Sequence, residues 1–164
     1  MADPFTAGMK LRASDLNAIA ATGVMIASQV SAGAGDALSW TTTESVGAAL
    51  SAVPFVAGRK YLIEFTGVGN AASAGANMFL KLKYKAGSTV DTSGTQVPDG
   101  KIAPNISRGS AADNNPLVVR GLVTAPTTGP YVVVLTGRMN TSTGGIAADT
   151  SNHGWAFTVT CVNA

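Results

Sequence analysis

Strict alternation of apolar and polar residues constrains this chain more than any other feature. Met78, Leu80, Leu82 and Tyr84 fall on one parity, and Phe79, Lys81, Lys83 and Lys85 on the other. Trp155, Phe157, Val159 and Cys161 alternate with Ala156, Thr158, Thr160 and Val162. Tyr61, Ile63 and Phe65 oppose Lys60 and Glu64, and Val24, Ile26 and Val30 oppose Met25, Ala27 and Gln29, with Ser28 interrupting the apolar side. A period of two puts successive side chains on opposite faces of a strand, and one buried face plus one wet face is the mark of antiparallel sheets. Further strands are expected over 37–42, 46–55, 117–124 and 131–139. Turn-forming clusters separate them at 31–36, 57–58, 67–75, 87–100, 113–116, 126–130 and 140–145. About eight strands without a second helical pattern predict an all-β fold over residues 24–164, an antiparallel β-sandwich of jelly-roll-like type.

The first 23 residues follow a different rule. Pro4-Phe5-Thr6-Ala7-Gly8 reads as an extended arm. Ser14 then supplies an N-cap, Asp15 a favourable charge in the first turn, and Leu16, Ile19 and Ala20 one apolar stripe. Gly23 suits the left-handed residue that ends a helix. A helix this short does not survive alone in water, so it must lean on its own β-domain, a symmetry mate or a partner. The spacing of Leu16, Ile19, Gly23, Ile26 and Val30 also admits a heptad seam, which Gly23 and the β-branched residues after it weaken. Residues 1–23 therefore read as a docking segment and 24–164 as a separate sandwich. Burying Phe5, Leu11, Leu16 and Ile19 on a neighbour would contribute ~1.5–3 kcal/mol per side chain before ordering costs. Lys10 and Arg12 follow the first hydrophobe and Asp15 breaks the next run, unlike a secretory leader, so the segment is expected to be retained.

Composition narrows the classes of function. Charged residues are only 12% of the 164, about half the usual quarter, and the net charge is +2 with Lys and Arg scattered. That balance excludes the basic stripe of a nucleic-acid binder and suits broad protein contact. No apolar run approaches the ~18–20 residues of a membrane span. The single cysteine, Cys161, excludes an intrachain disulfide, alternates with core residues and points to a reducing place of synthesis.

Catalytic and metal chemistry find no constellation. Gly67-Val-Gly-Asn-Ala-Ala72 matches the letters of a dinucleotide turn, but a strand rather than a helix follows it, so a glycine-rich hairpin loop is expected. His153, with Asp149 and Ser151 nearby, lacks the oxyanion hole and distant partners of a triad. One His, one Cys and dispersed carboxylates supply no metal cluster, and a calcium site from Asp91 and Asp99 carries no motif. No cofactor is expected. The Lys81, Lys83 and Lys85 row suits either an acidic or glycan partner or the protection of an edge strand. Asp113, Asn114, Asn115, Asn152 and His153 lie in loops suited to ligand contact, for example with a host surface glycan if an aromatic such as Trp155 is exposed beside them.

The run Pro4-Phe5-Thr6-Ala7-Gly8, continuing to Leu11-Arg-Ala-Ser-Asp-Leu16-Asn17, resembles the N-terminus of small virion proteins of tailed bacteriophages, especially those infecting actinobacteria. These are capsid decoration proteins, head fibres and minor tail proteins. Phe55-Val-Ala-Gly58-Arg-Lys-Tyr61 and the 125–138 segment are similar to their sandwich modules. The resemblance implies a non-enzymatic structural part of the virion surface, made in the host cytoplasm. It further implies docking through Phe5, Leu11, Leu16 and Asn17 to major capsid or tail subunits, and assembly as a homo-oligomer, a trimer in particular. A receptor-binding fibre-tip module is the alternative, and a small hydrolase the third reading.

Overall fold

A computed structural model describes residues 23–31, 33, 36–73, 75–104, 115–141, 143–148 and 154–162. It contains ten strands: β1 (Val24–Val30), β2 (Leu38–Trp40), β3 (Ser45–Phe55), β4 (Lys60–Ala71), β5 (Met78–Ala86), β6 (Thr95–Ile102), β7 (Asn115–Thr124), β8 (Gly129–Met139), β9 (Gly144–Ala147) and β10 (Ala156–Cys161). Every pairing is antiparallel. The arm, the short helix and the docking residues Phe5, Leu11, Leu16, Asn17 and Ile19 lie outside the described residues. Gly23 does adopt φ +73°, the left-handed conformation expected of it.

The pairings resolve into two sheets. In one, β7 runs along Lys60–Gly69 on one side of β4, while β10 and β9 lie end to end along the other side. β1 then flanks β10, and β2 flanks β9. β1 and β2 are thus halves of one interrupted strand, and β9 and β10 halves of another. The second sheet has the order β3-β8-β5-β6. With each interrupted strand counted once, eight remain. Their orders are first-eighth-third-sixth and second-seventh-fourth-fifth, which is the jelly roll.

Both interruptions fall at the same level and are clasped together. The Ser31 amide donates to the Trp155 carbonyl (3.0 Å), the Trp155 amide to Ser31 Oγ (2.9 Å), and the Trp155 indole Nε1 to the Asp36 carbonyl (2.8 Å). These bonds satisfy backbone groups that the broken ladder leaves open.

The core lies between the sheets. Phe55 stacks on Tyr61 and Tyr131 with centroids 4.2 and 4.7 Å apart, and Phe65 meets Trp155 and Phe157 in a second aromatic group. Trp40 is wedged against Gly47 and Gly137, where any side chain would overlap its indole, and its Nε1 donates to the Ser45 carbonyl at 3.1 Å. Cys161 is buried among these residues, as its parity predicts.

Three local expectations need correction. The segment from Gly67 is no hairpin loop, because β4 continues to Ala71 and the glycine lets Ile146 and Trp155 pack against its backbone. Two strands, β6 and β9, arise where turns were expected. β1 does not keep one apolar face inward, since a bulge between Met25 and Ala27 resets the alternation and turns Val30 out to solvent.

Candidate interaction surface

The outer faces of the two sheets are the surfaces through which a sandwich meets other molecules, and these two are built differently. On the β3-β8-β5-β6 sheet, Val132, Val134 and Thr136 point away from the core yet are buried. Lys85, Lys83 and Lys81 stand opposite them on β5, beside which their stems extend. The β2–β3 loop brings Glu44 over this row. Its Oε2 accepts from Lys81 Nζ at 3.0 Å, while its Oε1 lies 2.6 Å from Lys83 Nζ and accepts from Thr136 Oγ1 at 2.8 Å. Desolvation pushes the Glu44 carboxyl up, but the bonds from Lys83, Lys81 and Thr136 outweigh it and hold the group down at about 2. Lys83 also donates to the Thr92 carbonyl (2.7 Å), and Lys85 to Asp91 Oδ2 (2.5 Å) and Ser93 Oγ (3.2 Å). Phe79, at the end of the row, carries the Arg138 guanidinium 4.2 Å above its ring.

The lysine row is bonded within the chain, and its place in the sheet overturns the edge-strand reading of it. The ammonium groups are committed to Glu44, Thr92 and Asp91, and β5 lies between β8 and β6 rather than at an edge. Asp91 accepts three bonds within the chain: Ser93 donates to its Oδ1 through both N and Oγ, and Lys85 to Oδ2. Among the described residues no three His, Cys, Asp or Glu side chains form a metal-binding group.

The outer face of the other sheet is open. Met25 (56% exposed), Val30 (65%), Val118 (52%) and Leu122 (51%) stand on it, with Leu62 half-buried. Register pairs Leu62 with Leu122, Glu64 with Arg120 and Thr66 with Val118 across β4 and β7. Neither Glu64 nor Arg120 forms an ion pair among the described residues. A depression of about 280 Å³ lies beside them, walled by Leu62, Leu122, Arg120 and, from β6, Pro98 and Asp99. Asp99 takes φ +57°, a left-handed turn of the backbone at this rim. At the far end of the sheet Ser39, Gly145 and Asn70 share one level over β2, β9 and β4, flooring a shallow groove of about 380 Å³.

The sequence-derived ligand loops fare unevenly. Asp113, Asn114, Asn152 and His153 lie outside the described residues. Asn115 opens β7 opposite Gly69 and is half-buried. Trp155 is buried, as its parity with Phe157 and Cys161 predicts, and hydrogen-bonded to Asp36, so the exposed aromatic that would favour glycan contact is not supplied by it. The open face of β4 and β7 was missed. Its signal is present in 117–123, where valine and leucine occupy both parities instead of one.

No family model matches the chain, and no curated protein matches it. Solved structures do share the fold. The chain is similar to the VP2 subviral particle of infectious bursal disease virus, with a TM-score of 0.51 at 9% identity over 85% of this chain and 31% of that one. A structure of the Gx strain of the same virus is similar more loosely, with a TM-score of 0.38 at 11% identity over 84% of this chain and 37% of that one. The chain thus spans about a third of the length of the proteins it matches.

Proposed function

We propose that this protein is a structural component of a virus particle, of the bacteriophage decoration or minor tail type. Residues 1–23 dock to a capsid or tail subunit, and the sandwich projects from the surface. The observation that carries this reading is the jelly roll itself, superposable over 85% of the chain on a particle-forming viral protein. Jelly rolls recur in viral shells, where two antiparallel sheets packed face to face give a rigid block. The low charge and the open apolar face of β4 and β7 support a role among close-packed neighbours. So does the lysine row, whose ammonium groups are bonded within the chain.

On this reading the N-terminal segment supplies the attachment and the sandwich supplies the bulk. Locating the chain in an electron-microscopy map of purified particles tests the virion assignment. Deleting residues 1–22 tests the docking. The truncated protein is expected to keep the circular dichroism of a β-sandwich and to lose association with particles. Undiminished binding of the truncated form overturns the docking role, and absence from the particles overturns the assignment.

A further inference from the structure

The outer face of β4 and β7 carries a projection, a recess and two opposite charges within one patch. Leu122 stands out of it, half of its surface exposed, and the 280 Å³ depression lies immediately beside it. Glu64 and Arg120 occupy one level on neighbouring strands, with the Leu62–Leu122 pair on one side and the Thr66–Val118 pair on the other. On the other sheet every lysine of the β5 row is bonded within the chain, whereas Glu64 and Arg120 form no ion pair among the described residues.

We infer that this face is the contact between two copies of the chain, related by a twofold axis running between β4 and β7 along the strands. A twofold contact requires a patch complementary to itself, so that residue i meets j and j meets i. Rotation about that axis exchanges the β4 and β7 positions while keeping their level. Arg120 then lies over Glu64 of the second copy, and Glu64 over its Arg120. Leu62 meets Leu122 twice, once on each side of the axis. No like charges are brought together at the centre. The other in-plane axis, across the strands, would set Glu64 on Glu64 and Arg120 on Arg120, an arrangement that costs binding. Charge complementarity thus selects both the occupant and the orientation. Such pairing yields even-numbered assemblies, and a trimer would have to form through another surface. The inference is independent of the virion assignment, because the contact is between copies in solution.

The test uses the full-length protein in sedimentation equilibrium across the micromolar range, with melting curves to show that each variant folds. Arg120→Glu and Glu64→Arg alone are each expected to weaken dimerisation by at least about tenfold, because each reversal places two like-charge pairs across the axis. The double variant, Arg120→Glu with Glu64→Arg, is expected to recover to within about threefold of the wild type. Leu122→Asp, which sets a charge against Leu62 of the other copy, is expected to abolish pairing and serves should a reversal fail to fold. A wild-type protein that stays monomeric throughout, single reversals without effect, or a wild-type trimer indifferent to these changes overturns the inference. So does a double variant no better than the singles, which would indicate a different occupant, such as residues 1–22 or another protein. None of these results bears on whether the chain is found in particles.

Discussion

Two faces of one sandwich solve the same physical problem in opposite ways. Each sheet has an outer surface with aliphatic residues on it. On the β3-β8-β5-β6 sheet the chain covers its own valines, using lysines on β5, Glu44 from one loop and Asp91 from another. On the β1-β10-β4-β7 side it leaves Val118 and Leu122 exposed with an uncommitted acid and base between them. The difference teaches that an aliphatic residue at an outward position has no fixed meaning. Whether it is core, cover or contact depends on what the loops and the neighbouring strands bring over it. A surface that has been closed with ion pairs is unsuited to a partner, and one left open beside it is the better place to look.

The sharpest way to break the comparison is to make one change on both faces. Val134→Ala removes two buried carbons beneath the lysine row and is expected to cost about 2 kcal/mol, at ~0.8 kcal/mol per buried carbon plus a cavity contribution. Val118→Ala, chemically identical but on the open face, is expected to change the stability of the monomer by less than about 0.5 kcal/mol. Urea unfolding of both variants under conditions that keep the protein monomeric measures the contrast. Equal effects would mean that the lysine side chains do not seal the first face.

Glu44 gives the next largest effect and a pH signature. Glu44→Gln keeps the shape but removes the charge shared by Lys81 and Lys83, and is expected to cost about 1 kcal/mol at neutral pH for this partly exposed cluster. The carboxyl sits at about 2 in the folded protein against an ordinary value of 4.5. Its contribution is therefore complete above about pH 4.5 and is lost as the pH falls towards 2. Wild-type melting temperature should decline over that window, and Glu44→Gln should decline less. Parallel curves for the two proteins would remove Glu44 from the seal.

Most of the fold was legible because it rests on alternation, and the parts that were not rest on exceptions to it. β4, β5 and β10 carry clean periods and β8 a continuous apolar run, and each was expected within a few residues of its core. β6 was hidden because Thr-Gln-Val-Pro-Asp-Gly-Lys-Ile reads as turn chemistry, and its Asp99 does bend into a left-handed conformation while the strand continues around it. β9 is four residues long with two leading glycines, and it becomes a strand only because β2 and β4 approach its bare backbone closely. The surfaces were harder than the strands. Nothing local to Glu44 announces that it will cross from a loop to two lysines and a threonine 92 residues away in the chain. The lysine row was visible, but its ion pairs depend on contacts that only the folded sheet creates. The docking residues of the arm and four of the five loop residues put forward for ligand contact belong to segments outside the described structure.

The smallest expected effect isolates the loop that completes the closed face. Asp91 is held well below the usual carboxylate range, first by the bond from Lys85 and then by the two from Ser93. This cluster ties the 87–94 connection down onto β5, together with the Gly87 amide bonded to the Pro130 carbonyl at 3.0 Å. Because it is exposed to solvent, its ion pair adds little to global stability, so Lys85→Ala should leave the melting temperature nearly unchanged. The effect should instead be local. With Lys85 gone, the Asp91–Ser93 turn keeps its own bonds but loses its tether, and amide exchange of Ser93 should quicken while that of β8 does not. Asp91→Asn should do the same and go further, since the amide accepts the Ser93 bonds less strongly than the carboxylate. If exchange in β8 rises together with that of Ser93, the loop is no detachable cover but part of the cooperative sandwich. The closed face would then owe its closure to the whole fold rather than to the ion pairs laid over it.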